Sequence, residues 1–297
     1  MQTPGLGYAV VRVPGSTSNI GPGFDCMGIA LQIYNHVRVE RLAEGTEGED
    51  PAHTMVASTA ARFFAAANTA AFPLKWTIEG EVPISRGLGS SVTLRQGILQ
   101  GLNALCGDPL DRDALFRLGA ELEGHPDNAS AGVYGGFTCN NAAGTCLHHP
   151  VHERLKFLVL IPECEVLTEA SRGVLPDHLP YGEAVASLGN ACVITSAFAS
   201  QNYEALRGSF VDHFHQPYRE TYNPGLNEVI AASEAAGALG GFLSGSGSTI
   251  ACLALAEGAE LQAIGSAMQK VYQVIGKSRV VFTEADNAGA RTVELGG

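Results

Sequence analysis

The chain has 297 residues, 45% of them hydrophobic and 16% charged, and a net charge of −12. That length is enough to bury one large core or two modest ones, and two domains are expected. The acidic balance, without a basic stripe or Lys/Arg-rich tail, excludes nucleic acid as an expected partner. It does not exclude ATP, whose phosphates need local N–H groups and a cation rather than a basic surface.

In chain order, Tyr8–Val13 is rich in β-formers and predicts a strand. Pro14–Gly28, PGSTSNIGPGFDCMG, crowds Gly, Pro, Ser, Thr and Asn together and predicts a loop. Ile29–Ile33 and His36–Arg41 read as strands, and Ala43–Pro51 as an acidic surface loop. Thr54–Ala71 is Ala-rich and helical, and Leu74–Glu81 alternates as a strand does. A helix follows the glycine turn at 87–89, and another is expected over Asp111–Glu123 with Asp111 as its N-cap. Ala129–Gly135 predicts a short helix leading to a strand near Gly136–Cys139.

Asn140–His152, ending HHPVH, is read as a polar surface turn rather than a metal site, because metal-binding His needs fixed orientation and outer support. Leu155–Pro162, LKFLVLIP, is a near-continuous apolar run and a buried strand, and the domain boundary falls beside it, giving 1–153 and 154–297. Helices are expected at Gly182–Leu206, Pro224–Ala236 and Ala259–Ile275. Strands are expected at Thr249–Ala254, Ser278–Phe282 and Arg291–Leu295. Interleaved strands and helices give an α/β or α+β class.

The seven cysteines (Cys26, Cys106, Cys139, Cys146, Cys164, Cys192 and Cys252) are scattered, odd in number and lack a C-x-x-C pair. They argue against a disulfide framework or structural zinc and for a reducing compartment. With no signal-peptide pattern at MQTPGLGYAVVRV and no apolar run of bilayer length, a cytoplasmic protein without membrane partners is expected.

The stretch PISRGLGSSVTLRQG, from Pro83, organises the functional reading. A glycine turn emptying into a helix start is an anion site, because the opening N–H groups have no intrahelical partner and the helix dipole adds positive charge there. Gly87 and Gly89 let the backbone bend sharply, and Ser90 and Ser91 are placed to cap, to touch phosphate or to ligate Mg²⁺. Three further patches lie in loops. SNIGPGFD offers Asn19 and Asp25, ELEGHPDN offers Glu121, Glu123, His125, Asp127 and Asn128, and LGGFLSGSGST offers a tight turn around Gly245 and Gly247. Arg172 in TEASRGVLP and Arg219 in HQPYRE are natural forks for a carboxylate or phosphate.

The order and spacing of these patches resemble the GHMP kinase superfamily, and SNIGPGFD, GHPDN, EASRGVLP and HQPYR are similar to its homoserine kinase branch. The resemblance runs from about Val11 to the C-terminus. It implies an α+β, two-domain GHMP kinase fold, with a ribosomal protein S5-like N-terminal ATP-binding domain and a ferredoxin-like C-terminal domain. It implies transfer of the ATP γ-phosphoryl group to the hydroxyl of L-homoserine, a step of threonine biosynthesis, with ATP and Mg²⁺ and, by analogy, a homodimer. Carried over by position, Pro83, Arg86, Gly87, Leu88, Gly89, Ser90 and Ser91 would bind the nucleotide. Ser91 and Glu121 would hold the metal, with Glu123 as second choice. Asn19, Asp25, His125, Asn128, Arg172, Arg219 and Gly245 would bind substrate, with Asn128, His125 and Arg172 catalytic; Asp127 is read as structural, with the role of base left open to it. Another small hydroxylated acceptor and a catalytically silent metabolite sensor stand as alternatives. Four departures from the family pattern are Gly15 and Ser18 for alanine, Ser248 for proline, and Val92 for alanine. Val92, being β-branched, is expected to crowd the phosphate turn.

Overall fold

The structure, a computed structural model, describes residues 7–44 and 54–297. The acidic loop expected at 43–51 therefore lies, past residue 44, outside the described residues. The strands are β1 (Tyr8–Ser18), β2 (Met27–Arg41), β3 (Leu74–Gly80), β4 (Phe137–Asn140), β5 (Cys146–His149), β6 (Lys156–Pro162), β7 (Gly240–Leu243), β8 (Ile250–Ala254), β9 (Ser278–Thr283) and β10 (Arg291–Gly296). The helices are α1 (Thr54–Ala66), α2 (Ser90–Leu105), α3 (Arg112–Glu123), α4 (Asp127–Tyr134), α5 (Thr168–Arg172), α6 (Tyr181–Ser200), α7 (Gln216–Arg219), α8 (Leu226–Ala235) and α9 (Gly258–Tyr272).

The first sheet runs β10-β1-β2-β4-β5, with β3 also on β2. β1 pairs along most of β2, so β3 and β4 share the opposite edge of β2, at its C-terminal and N-terminal ends. The second sheet runs β7-β8-β6-β9, and every pairing in both sheets is antiparallel. β10, the last strand of the chain, returns to β1 of the first sheet.

Three of the four cores among the described residues follow from the side-chain periods. On β6, Phe157, Val159 and Ile161 face a core shared with β2, α6 and Phe242. Leu158 and Leu160 face the opposite core under α8 and α9. A strand buried on both faces has no polar side to show, which is why it reads as one apolar run. The third core packs α1 and α2 on β2, with Phe63, Leu99, Val37 and Val39 fully buried. Gly97 lets α2 lie directly on the sheet, since a Cβ there would come within 2.4 Å of the Val37 side chain.

Several expectations are corrected. β1 continues to Ser18 and β2 begins at Met27, so the loop expected over 14–28 shrinks to 19–26. Pro14 is tolerated because the register shifts between Pro14 and Gly15, an irregularity that absorbs the missing donor. The two strands expected in 29–41 are one strand. The turn expected at 140–152 contains β5, paired with β4, and the loop expected at 239–249 begins with β7, buried throughout. The helix expected to run to Leu206 stops at Ser200, where Gln201 takes the left-handed conformation, and resumes as a 3₁₀ turn at Tyr203–Leu206.

Candidate active site

A cleft of about 730 Å³ is walled by all four loop patches and both arginines. Hydrogen bonds lace the patches together. Ser244 Oγ donates to Gly87 O at 2.6 Å, Thr249 N to Arg86 O at 3.2 Å, and Asn19 Nδ2 to Gly245 O at 3.0 Å. Asn128 accepts from Ser16 Oγ at 2.8 Å and donates to Ser18 Oγ at 3.0 Å, so the departure at Ser18 adds a hydroxyl partner at the cleft wall.

The glycine turn is built for close backbone approach. Gly87 has φ +74°, and a Cβ there would meet Ser244 O at 2.1 Å. Gly89, also left-handed, caps α2 without a side-chain bond, so the helix start is left open to a ligand. Gly87, Gly89, Ser90 and Ser91 line the cleft. Pro83 and Leu88 do not. Leu88 is buried in the core, and its carbonyl accepts from Ser16 N. Arg86 reaches the wall, but its guanidinium is engaged elsewhere, donating to Pro162 O and Ile84 O and pairing with Glu165. It straps the turn to the end of β6 and the residues just after it. Val92 is 2% exposed and faces Gly132 of α4, so it does not crowd the turn.

Glu121, the expected metal carboxylate, does not line the cleft. Glu121 points to solvent, and its carboxylate is held at 2.7 Å by Arg62. Glu123 lines the cleft and accepts from Ser91 Oγ at 2.8 Å. Its other oxygen lies 2.6 Å from Arg95 Nε yet out of line for a hydrogen bond. One carboxylate and one hydroxyl at a helix start are hard oxygen donors that suit Mg²⁺ arriving with phosphates and water. Among the described residues no group of three His, Cys, Asp or Glu could hold a metal by protein ligands alone. That covers HHPVH, whose His148 stacks on Tyr134.

At the other end, Arg172 forks onto Asp25, with bonds of 2.6 and 3.0 Å. Arg219 is 2% exposed, and Phe24 lies under both guanidinium groups, its ring centroid 5.4 Å from Arg172 and 5.1 Å from Arg219. Phe24 and Thr168 also line the cleft without an expected role, although Phe24 lies inside the SNIGPGFD patch. Met55, Trp76, Ile78 and Leu94 form an apolar end of the cleft that no motif announced. His125 Nδ1 lies 3.0 Å from Asp127 Oδ1, which also accepts from Asn128 N at 2.7 Å.

Electrostatics follow these contacts. The Asp127 hydrogen bond raises His125, and the Asp25 hydrogen bond raises Arg172. Burial, then the neighbouring Arg172 charge, lowers Arg219 to about 10, so it stays charged at neutral pH. Burial lowers His215 below its usual 6.5, so the unfolded chain takes up this proton before the folded one does. Its contribution to stability is complete above about pH 6.5 and is lost as pH falls below that value. The denaturation midpoint is expected to fall more steeply from about pH 7 to about pH 5 in the native chain than in His215→Phe. Parallel curves would remove His215 as the cause.

Two family profiles match the chain: GHMP kinases N terminal domain over residues 54–136 and GHMP kinases C terminal over residues 195–274. A homoserine kinase of Caldicellulosiruptor bescii is 34% identical over 296 residues, covering 94% of this chain and 95% of its own. The chain belongs to the homoserine kinase family. A homoserine kinase of Moorella thermoacetica is 37% identical over 254 residues, covering 81% of this chain and 86% of its own. The crystal structure of homoserine kinase from Cytophaga hutchinsonii has a TM-score of 0.88 at 25% identity, with 99% of each chain covered. Mevalonate kinase of Methanococcus jannaschii, 15% identical, shares the fold with a TM-score of 0.70 over 94% of this chain and 99% of its own. The α+β, two-domain GHMP kinase fold expected from the motifs is the one observed. As a member of the homoserine kinase family the chain is an ATP-dependent small-molecule kinase. Among its described residues no helix is long and apolar enough to cross a membrane.

Proposed function

We propose that the chain transfers the γ-phosphoryl group of ATP to the hydroxyl of L-homoserine, giving O-phospho-L-homoserine and ADP. One observation carries the reading: a single cleft opposes an open helix start, edged by Ser91 and Glu123, to the Asp25–Arg172 pair backed by Arg219. Homoserine carries an ammonium and a carboxylate on one carbon. In this reading the ammonium takes Asp25 and the carboxylate takes Arg172 and Arg219. The substrate's two charges then replace an ion pair already in place, and no uncompensated charge is buried. A catalytically silent sensor would have no use for the Ser91–Glu123 couple.

The adenine base fits the apolar end at Met55, Trp76, Ile78 and Leu94, and the phosphates follow Gly87, Gly89, Ser90 and Ser91. Ser91 and Glu123 would hold Mg²⁺, which when bound neutralises charge on the transferring phosphoryl oxygens. The chain's own part is positioning. The α2 N–H groups orient the phosphates, and the arginine pair fixes the acceptor for in-line attack. Asn128 and His125 face the region between them. In this reading the domains divide at 153/154, and β10 returns to the first.

Asp127 is 2% exposed, and its Oδ1 is committed to His125 and Asn128, which suits a positioning role better than a base. Asp127→Asn keeps an acceptor oxygen in place and is expected to lower kcat by less than about tenfold, against roughly 100-fold or more for loss of a general base. The function itself is tested by ADP formation with homoserine, mevalonate, shikimate and galactose side by side. Absence of homoserine-dependent ADP would sink it.

A further inference from the structure

His215 lies outside the four patches and is fully buried behind the substrate end of the cleft. Its Nε2 lies 2.9 Å from Gly21 O, and its Nδ1 lies 3.2 Å from Arg219 Nη1. The tautomer follows from these partners. A carbonyl can only accept, so Nε2 carries the proton; a guanidinium can only donate, so Nδ1 offers its lone pair. Asp212 fixes the backbone of this turn, its Oδ2 accepting from His215 N at 2.9 Å and Gln216 N at 2.8 Å. The imidazole also stacks on Phe24, with centroids 5.3 Å apart.

These bonds fix the aim of Arg219. Nε donates to Ser171 O at 3.1 Å, and Nη1 donates to Gly245 O at 3.0 Å as well as to His215. Nη2 makes no bond among the described residues, and Arg219 lines the cleft. A guanidinium is planar, so holding two of its nitrogens fixes the direction of the third. We infer that His215 is a positioning residue for carboxylate recognition: through its Nδ1 it aims Arg219 Nη2 at the α-carboxylate of the acceptor. Through its Nε2–H it also ties the loop bearing Phe24 and Asp25 to the same arginine. The enzyme then selects acceptors that carry a carboxylate beside the ammonium over amino alcohols that lack one. The inference rests on the assignment of Arg219 to the substrate carboxylate.

The test is a ratio of kcat/KM values, for homoserine and for aminopropanol, which is homoserine without its carboxylate. The fraction of correctly folded enzyme cancels in this ratio. His215→Phe keeps the ring but removes both polar atoms, and is expected to lower the ratio about 30-fold. His215→Asn restores an acceptor near the Nδ1 position and is expected to recover more than half of that loss on a logarithmic scale. Arg219→Leu is run beside them and is expected to lower the ratio at least as far. If Arg219→Leu leaves the ratio unchanged, the Arg219 assignment fails, and the inference with it. If Arg219→Leu lowers it while His215→Phe does not, only the role of His215 is overturned. An Asn variant as low as the Phe variant also overturns it, because packing rather than the Nδ1 acceptor would then be what matters.

Discussion

Glu123→Gln is expected to lower kcat about 1,000-fold, roughly 4 kcal/mol of transition-state stabilisation, while Glu121→Gln changes it less than about twofold. The two carboxylates lie two residues apart on α3, yet one faces the cleft and the other solvent. Glu123 meets Ser91 at the start of α2, where the phosphate end of the nucleotide is proposed to lie. Gln keeps the size and one acceptor oxygen but removes the negative charge that a divalent cation needs. The loss should therefore be partly recovered at high Mg²⁺, and the Mg²⁺ concentration for half-maximal rate should rise. Steady-state rates across a Mg²⁺ titration check both variants. A normal Mg²⁺ dependence in Glu123→Gln, with a shifted one in Glu121→Gln, would return the metal role to Glu121.

The helix period already held the clue to that choice. Residues two apart sit about 200° around a helix, so only one of the pair can share the buried face. Leu115, Leu118 and Gly119 define that face, and Glu123 lies four residues beyond Gly119. Val92 was misplaced for a similar reason. Adjacent to Ser91 in sequence, it is turned about 100° from it on α2, and packs on Gly132. Loop chemistry was legible because Gly, Asn and Pro mark turns locally. The extent of the loops was not, since Gly15–Ser18 is held extended by pairing with Gly28–Leu31 and not by its own propensity. The role of Arg86 was hidden by the same limit. Its side chain suits phosphate, but carbonyls at 84 and 162 and the carboxylate of Glu165 already engage its donors, and only the tertiary structure brings them there. The apolar end of the cleft collects Met55, Trp76, Ile78 and Leu94 from three separate elements, so no contiguous motif could announce it.

Arg172→Leu is expected to raise the KM for homoserine about 100-fold and that for ATP less than about threefold. Arg172 gives two bonds to Asp25 in the structure, and both groups are about one-third exposed. A pair this accessible is worth little to the fold, so the variant should remain folded. What it loses is the exchange of partners. In the proposed mode of binding, the substrate carboxylate takes over a cation released from Asp25 as the ammonium arrives. Without it, Arg219 alone meets the carboxylate, and Arg219 is anchored by His215, Ser171 and Gly245 and cannot swing to compensate. Lys at the same position restores the charge but not the planar fork, and should recover only part of the loss. The split between the two KM values is the decisive reading, because the nucleotide end of the cleft shares no bond with Arg172. Equal increases for homoserine and ATP would mean that Arg172 supports the cleft as a whole rather than the acceptor's carboxylate.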